Sequence, residues 1–179
     1  MNTGGRPRSE EARLAVLHAV DDLLLEVGYS AMTMKSIADR AKVSRATVYR
    51  WWSTKAEVLF EASTLDSAKE LAVGASGDPR ADLVAYLDAL AAFLARSPAG
   101  IAYRVLLTEA QSDAAVAELV RSRDVLGDTA RLVLERALPG AVDDQVVASF
   151  IGPVFFWVAS GRGGLDSREL VEAFLRSVR

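Results

Sequence analysis

The sequence predicts an all-α chain in two parts, a small N-terminal helix-turn-helix part followed by a larger helical part. Three observations predict it. Apolar residues recur at spacings of three and four through most of the length. Helix-starting and helix-stopping residues punctuate that pattern at regular intervals. No strand-like alternation bounded by turn residues occurs, and no internal repeat. The 179 residues, 51% of them hydrophobic, suffice to fill the core of one ordinary domain or of a small domain joined to a larger one.

Residues 1–8, with Gly4-Gly5-Arg6-Pro7-Arg8, read as a flexible basic arm. Ser9 is the expected N-cap of the first helix, with Glu10 and Glu11 in the turn where the helix dipole favours negative charge. Val16, Leu17, Val20, Leu23, Leu24 and Val27 give that helix one apolar face, and Gly28 ends it. A second helix spans Thr33 to Ala41, capped by Thr33, with Ile37, Ala38 and Ala41 facing inward. Lys42-Val43 makes a tight turn, Ser44 caps a third helix running to about Trp51, and Thr54-x-x-Glu57 is a capping box opening a fourth. That fourth helix reaches Val73, where Gly74-Ala75-Ser76-Gly77 breaks it. The first domain is therefore 9–73, with the helix-turn-helix at about 33–52, and the second is 78–179. Asp78 followed by Pro79 starts the second part. Helices are expected at about 80–96, 99–111, 113–137, 144–160 and 167–178, with breaks at Ser97-Pro98, Ser112, Pro139-Gly140 and Gly161–Gly164.

Composition closes off several classes of function. With no cysteine there is no disulfide framework, thiolate nucleophile or cysteine-ligated zinc, and the chain suits a reducing cytoplasm. The start carries no apolar segment of a secretory signal. The run from Val146 to Gly161 is shorter than the ~20 residues of a membrane helix and contains Gly152-Pro153, so it reads as a buried or interface helix. His18 is the single histidine and reads as a solvated surface residue, leaving no catalytic triad to build. Asp143-Asp144 caps a helix rather than forming a catalytic pair, and Gly161–Gly164 is a turn rather than a phosphate loop. No enzyme, cofactor, metal site or membrane partner is expected.

Charge is unevenly placed. The whole chain carries −3, yet from Thr33 to Lys55 six basic residues face one acid, while from Glu61 onward acids outnumber bases 17 to 12. A basic patch on an acidic chain is the footprint of localised anion binding. Two short helices joined by a tight turn, the second one basic, match a helix-turn-helix whose second helix enters a DNA major groove. Arg45 stands at the first turn, where it can reach guanine O6 and N7. Thr47 suits a thymine methyl or a phosphate, and Tyr49 and Lys55 suit phosphates at the groove edge. The bland alternative is an amphipathic helical hairpin with solvated charges. Charge clustering, paired N-caps and the hydroxyl groups favour DNA.

The stretch GYSAMTMKSIADRAKVSRATVYRWWSTKAEVL, Gly28–Leu59, resembles the DNA-binding domain of the TetR family of bacterial transcriptional regulators. The matching positions include Gly28-Tyr29, Thr33, Ile37-Ala38, Val43-Ser44, Thr47, Tyr49, the aromatic Trp52 and Lys55. The sequence departs at Lys42, where the family usually has glycine; a side chain there must adopt a left-handed or bridge conformation if the turn is kept. The resemblance implies a DNA-facing set of Thr33, Lys35, Lys42, Ser44, Arg45, Ala46, Thr47, Tyr49, Arg50, Trp51 and Lys55. It places Trp52 in the core against the first helix, and Trp51 near the DNA backbone or half-buried.

IGPVFFWVASGRGGLDSRELVEAFLRSV, Ile151–Val178, looks like the last two helices of one TetR subgroup, which pair with their copies in a second subunit. The resemblance implies a homodimer with Phe150, Ile151, Val154, Phe155, Leu170 and Phe174 at the interface. It also implies a small-molecule effector, for which Phe93, Tyr103, Phe156 and Trp157 are candidate pocket residues; aromatics at helical spacing serve equally as core or interface. The implied partner is a palindromic double-stranded operator in the bacterial cytoplasm, and the implied mechanism is repression relieved by ligand. A ligand-independent regulator or an activator of the same fold is the alternative.

Overall fold

The structure, a computed structural model, describes residues 5–178; Met1–Gly4 of the expected arm and Arg179 lie outside them. The described residues form ten helices and no strand. Packing divides the chain into two units, the first made of residues up to Leu65 together with Ala102–Ser122, the second of Asp66–Ile101 and Arg123 onward. The sequence predicts a single cut near 73–78. The chain instead returns to its first unit for twenty-one residues, a long-range event that no local signal announces.

In the first unit, α1 (Gly5–Ala31) begins four residues ahead of Ser9, so Ser9 lies inside the helix rather than capping it, and residues 5–8 have helical backbone. Pro7 permits this, because proline in a first turn lacks only an N–H that the helix leaves unpaired anyway. Gly28, at φ 76°, interrupts the helical backbone where the sequence places the end. Val16, Leu17, Val20, Leu23 and Leu24 are buried as expected, whereas Val27 is 51% exposed and falls off the face. Helix α2 (Met34–Arg40) packs on α1 and α3 (Arg45–Tyr49) on α2; Ile37, Ala38, Val48, Trp52 and, from the start of α4 (Lys55–Glu70), Val58 and Leu59 are buried. The unit also takes in most of α6 (Pro98–Glu109) and α7 (Ala114–Arg121).

The second unit is built on α5 (Pro79–Arg96), α8 (Val125–Ala137), α9 (Asp144–Ala159) and α10 (Ser167–Ser177), with α5 touching the other three. Asp78 caps α5 by accepting from the N–H groups of Arg80 and Ala81. Beyond the corner at Ser97-Pro98, a Cβ on Gly100 would lie 2.0 Å from the carbonyl oxygen of Phe93, so only glycine lets the chain fold back this tightly. The helix expected over 113–137 is two helices. Ser122 ends α7 and donates through its hydroxyl to Leu119 O, while Asp124 accepts from Gly127 N–H and starts α8. Short polar side chains compete for backbone groups in this way without any Gly or Pro to announce the break. Conversely, α9 runs straight past Pro153. That proline is on an exposed face, as is Ser149, whose carbonyl loses its helical donor and can turn to water.

The inner face of α9 carries Val147, Phe150 and Val154, all buried. The Phe150 ring lies 5.8 Å from Tyr86 and 4.9 Å from Phe174, an aromatic chain joining α5, α9 and α10. The Tyr86 hydroxyl reaches Leu126 O and Thr129 Oγ1, and burial raises its pKa to about 12. Phe150, Val154 and Phe174 are therefore core, which corrects their expected place at a subunit interface. Of that set Ile151, Phe155 and Leu170 remain half-exposed. Ile151 and Phe155 each follow a buried residue of α9 by one position, about 100° round the helix, and a helix so apolar gives its sequence no way to choose the phase, whereas Leu170 shares its face of α10 with Phe174 near the surface.

Candidate nucleic-acid interface

The geometry of the helix-turn-helix is set by three hydroxyl caps. Thr33 and Ser36 form a reciprocal box: Thr33 Oγ1 accepts from Ser36 N–H at 3.0 Å, and Ser36 Oγ accepts from Thr33 N–H at 3.0 Å. Ser44 Oγ accepts from Thr47 N–H at 3.1 Å and lies 2.9 Å from Thr47 Oγ1. Thr54 Oγ1 accepts from Glu57 N–H, while Glu57 Oε2 reaches back to Ser53 N–H, one residue earlier than a standard box. Each cap fixes where a helix starts, and so which side chains face outward.

Between α2 and α3 the chain makes a Schellman turn. Val43 N–H donates to Ala38 O and Lys42 N–H to Asp39 O, with Lys42 in the left-handed region at φ 56°. The turn geometry is thus kept, and lysine carries the strain that glycine would avoid.

Helix α3 has only five residues, and its faces separate cleanly. Val48 points into the core with Trp52, which is 3% exposed and donates its indole N–H to Glu61 Oε2 at 2.8 Å. Arg45, Ala46 and Tyr49 face out, Tyr49 at 55% exposure. Thr33, Lys35, Lys42, Ser44 and Arg50 are also exposed, and Thr47, Trp51 and Lys55 are half-buried. All the expected contact residues of this segment therefore lie on α2, the turn, α3 or the approach to α4. The Arg50 guanidinium sits 4.5 Å from the Trp51 ring centre, and the two indoles meet edge-on at 5.5 Å. This stack seats the exposed Arg50 guanidinium on the Trp51 ring.

The cations of the segment divide by what they already hold. Arg40 is bidentate to Glu26 at 2.9 and 2.5 Å and lies 3.7 Å from Asp22, so it binds α2 to α1; the hydrogen bond from Arg40 keeps the Glu26 carboxyl below its ordinary value. Lys35 pairs with Asp39 at 2.8 Å, an exposed i,i+4 contact. Among the described residues Lys42 and Arg45 have no ion-pair partner, which leaves their charge for a ligand. Lys55 is occupied: its ammonium donates to Tyr29 O at 2.7 Å and Met32 O at 3.1 Å, and lies 4.1 Å from the Tyr29 ring centre. The sequence expects a phosphate contact there; two of the three donors of that ammonium instead fasten α4 to the turn between α1 and α2.

Two structural carboxylates are not legible in the sequence. Glu61 receives both Trp52 and Arg13, and Glu26 receives Arg40, through partners nine or more residues apart. No spacing rule on one helix finds such pairs. His18 is exposed, as expected. In the second half, Phe93 and Tyr103 are buried in the second and first units respectively, and Phe156 is 59% exposed. The Arg162 guanidinium lies 5.1 Å from the Phe156 ring and 5.5 Å from that of Trp157. Concavities of the second unit of about 430, 460 and 190 Å³, the last lined by Leu71, Tyr86, Thr129, Val133 and Arg136 among others, contain none of these four expected pocket residues. Their common feature was aromatic character, which does not encode which way a helix turns.

Known proteins share this arrangement. The family described as bacterial regulatory proteins, tetR family, matches residues 16–62, and the tetracyclin repressor-like C-terminal domain matches residues 73–176. The HTH-type transcriptional regulator YdeS of Bacillus subtilis is 42% identical over 119 residues, 66% of this chain; the match spans 60% of that relative's length. The crystal structure of the TetR family transcription regulator SCO0332 is 30% identical, covers 94% of this chain and 99% of its own, and superposes with a TM-score of 0.72. RolR in complex with resorcinol shares the fold at 15% identity and a TM-score of 0.68, covering 97% and 90% of the two chains. With both halves matched, and with capped helices presenting free cations on a short outer helix, the chain belongs to the TetR family of helix-turn-helix transcriptional regulators.

Proposed function

We propose that the protein acts as a homodimeric repressor, bound to a palindromic operator and released by a small-molecule effector. The observation that carries the dimer is the outer face of α9. After Val147, Phe150 and Val154 have filled the core, Ile151, Phe155 and Phe156 still leave an apolar strip on the other side, with Leu170 on α10 half-exposed. Such a strip calls for a partner surface, and a second copy supplies it isologously. A dimer so formed presents two copies of α3 to successive major grooves about 34–36 Å apart.

At each half-site Arg45 reads guanine, and Thr47 and Tyr49 contact the backbone or a thymine methyl. Thr33, Lys35, Lys42, Ser44, Ala46, Arg50 and Trp51 frame the groove. Lys55 contributes mainly by holding α4 against the turn after α1, with one donor left for phosphate. Release by an effector rests on likeness to RolR, whose crystal structure contains resorcinol. A coupling of about 1–3 kcal/mol between effector and DNA would shift occupancy 5- to 150-fold. Bound to DNA, the protein works in the bacterial cytoplasm.

Sedimentation of the purified chain tests the dimer. The wild type is expected to sediment as a dimer, and Phe156→Glu, placing a charge on an already exposed position, as a folded monomer with weakened operator binding. A monomeric wild type, or a Phe156→Glu dimer of unchanged strength, refutes this interface.

A further inference from the structure

Away from α3, the first unit holds a cleft of about 550 Å³ between the end of α1, the first turn of α4 and α7. This is within the size range of small-molecule sites, roughly 300–1,000 Å³. Its floor is apolar: Ala56 and Val116 are buried, and Leu119 stands one helical turn beyond Val116 on α7. The Tyr29 ring forms one wall.

The rim is acidic: Glu57, Asp113 and Glu118 line it with one cation, Lys55. Each carboxylate uses one oxygen internally and keeps the other. Glu57 Oε2 accepts from Ser53 N–H, Asp113 Oδ1 caps α7 through Ala115 and Val116, and Glu118 Oε2 pairs with Arg121 at 3.0 Å. Lys55, whose ammonium donates to the carbonyls of Tyr29 and Met32, and Arg121 on Glu118 offset two of these three charges, so the rim stays net negative. The Tyr29 phenol registers the same field. Burial raises its pKa, and the charges of Glu109 and Asp113 raise it further.

We propose that this cleft binds an amphipathic organic cation, with an apolar body against Ala56, Val116 and Leu119 and an ammonium among Glu57, Asp113 and Glu118. Size selects a small molecule, the floor selects an apolar body, and the rim selects its charge; an anion of the same shape is repelled. Tyr29 and Lys55 also join α4 to the turn after α1, so an occupant presses on the joint that positions α2 and α3.

Calorimetry on the full chain tests this with 2-naphthylmethyl-trimethylammonium and, as its anionic counterpart, 2-naphthylmethanesulfonate. The cation is expected to bind, with the sulfonate weaker by at least about tenfold and the cation's affinity falling as salt is added. Glu118→Gln should weaken the cation roughly two- to five-fold, as loss of one exposed charge does. Ala115→Trp, from an exposed position on the rim, should fill the cleft and abolish binding with the melting curve unchanged. If that variant melts differently, Glu118→Gln decides alone, since its side chain is solvated and its loss leaves the fold intact. No binding of the cation, equal binding of the sulfonate, or affinity unchanged by the deciding variant overturns the proposal. DNA binding by the wild-type chain is measured separately, so failure here leaves the regulator reading standing.

Discussion

Lys42 concentrates the trade between stability and function in one residue. Its φ of 56° places a long, charged side chain in a conformation that costs an L-residue about 1–2 kcal/mol. The Schellman bonds to Ala38 and Asp39 hold it there. Lys42→Gly should therefore raise stability in urea unfolding by about 0.5–1 kcal/mol, the strain relieved less the entropy glycine adds to the unfolded chain. The same change should weaken DNA binding on all sequences and reduce the salt slope by about one unit, because an unpaired cation is lost from the groove edge. At this scale the sequence was informative. Thr33, Ser44 and Thr54 cap the helices they were expected to cap, and Lys42 takes the left-handed turn. These are local effects, fixed within four residues. The second role of Lys55 is not legible, because the carbonyls of Tyr29 and Met32 that it holds are more than twenty residues away.

At the scale of elements, α1 and α2 are held at their exposed edge by Arg40 with Glu26. The pKa of Glu26 is lowered from 4.5, first by its hydrogen bond to Arg40, partly opposed by desolvation. A carboxyl depressed on folding stabilises above its unfolded value, and that contribution disappears as pH falls through the folded value. Melting temperature should thus decline below about pH 4.5, and Glu26→Gln should reduce the part of the decline that this pair supplies. A Glu26→Gln profile superimposing on the wild type would show the pair to be idle. The corner before α6 makes a harder demand. Gly100→Ala drives a methyl into Phe93 O and is expected to destabilise by about 1–3 kcal/mol, measured by urea midpoint. The corner is legible in Ser97-Pro98 but the need for Gly100 is not, since its approach to the Phe93 carbonyl exists only once the chain has turned there. Nor is the break at Ser122–Asp124 legible, where polar side chains rather than Gly or Pro end the helix.

The whole molecule shows what periodicity leaves open. The all-helical class and most of the helix boundaries follow from spacing and caps, yet Phe150, Val154 and Phe174, expected at an interface, are core. A helix as apolar as α9 has two plausible inner faces, and only the rings of Tyr86 on α5 and Phe174 on α10 select one. The return of Ala102–Ser122 to the first unit was hidden for a similar reason, being decided by packing between distant segments. The exposed surface of α3 was easier, because charge and hydroxyl groups mark an outward face in the sequence itself.

Selection of bound sequences from a random DNA pool, at one fixed salt concentration and with wild type and Arg45→Ala in parallel, addresses the DNA reading directly. The wild type should enrich a palindrome, and Arg45→Ala should enrich the same site with preference lost at one position per half-site, binding weaker by about 1–3 kcal/mol. No enrichment by the wild type, or an Arg45→Ala preference identical to it at every position, would contradict the placement of α3 in the major groove.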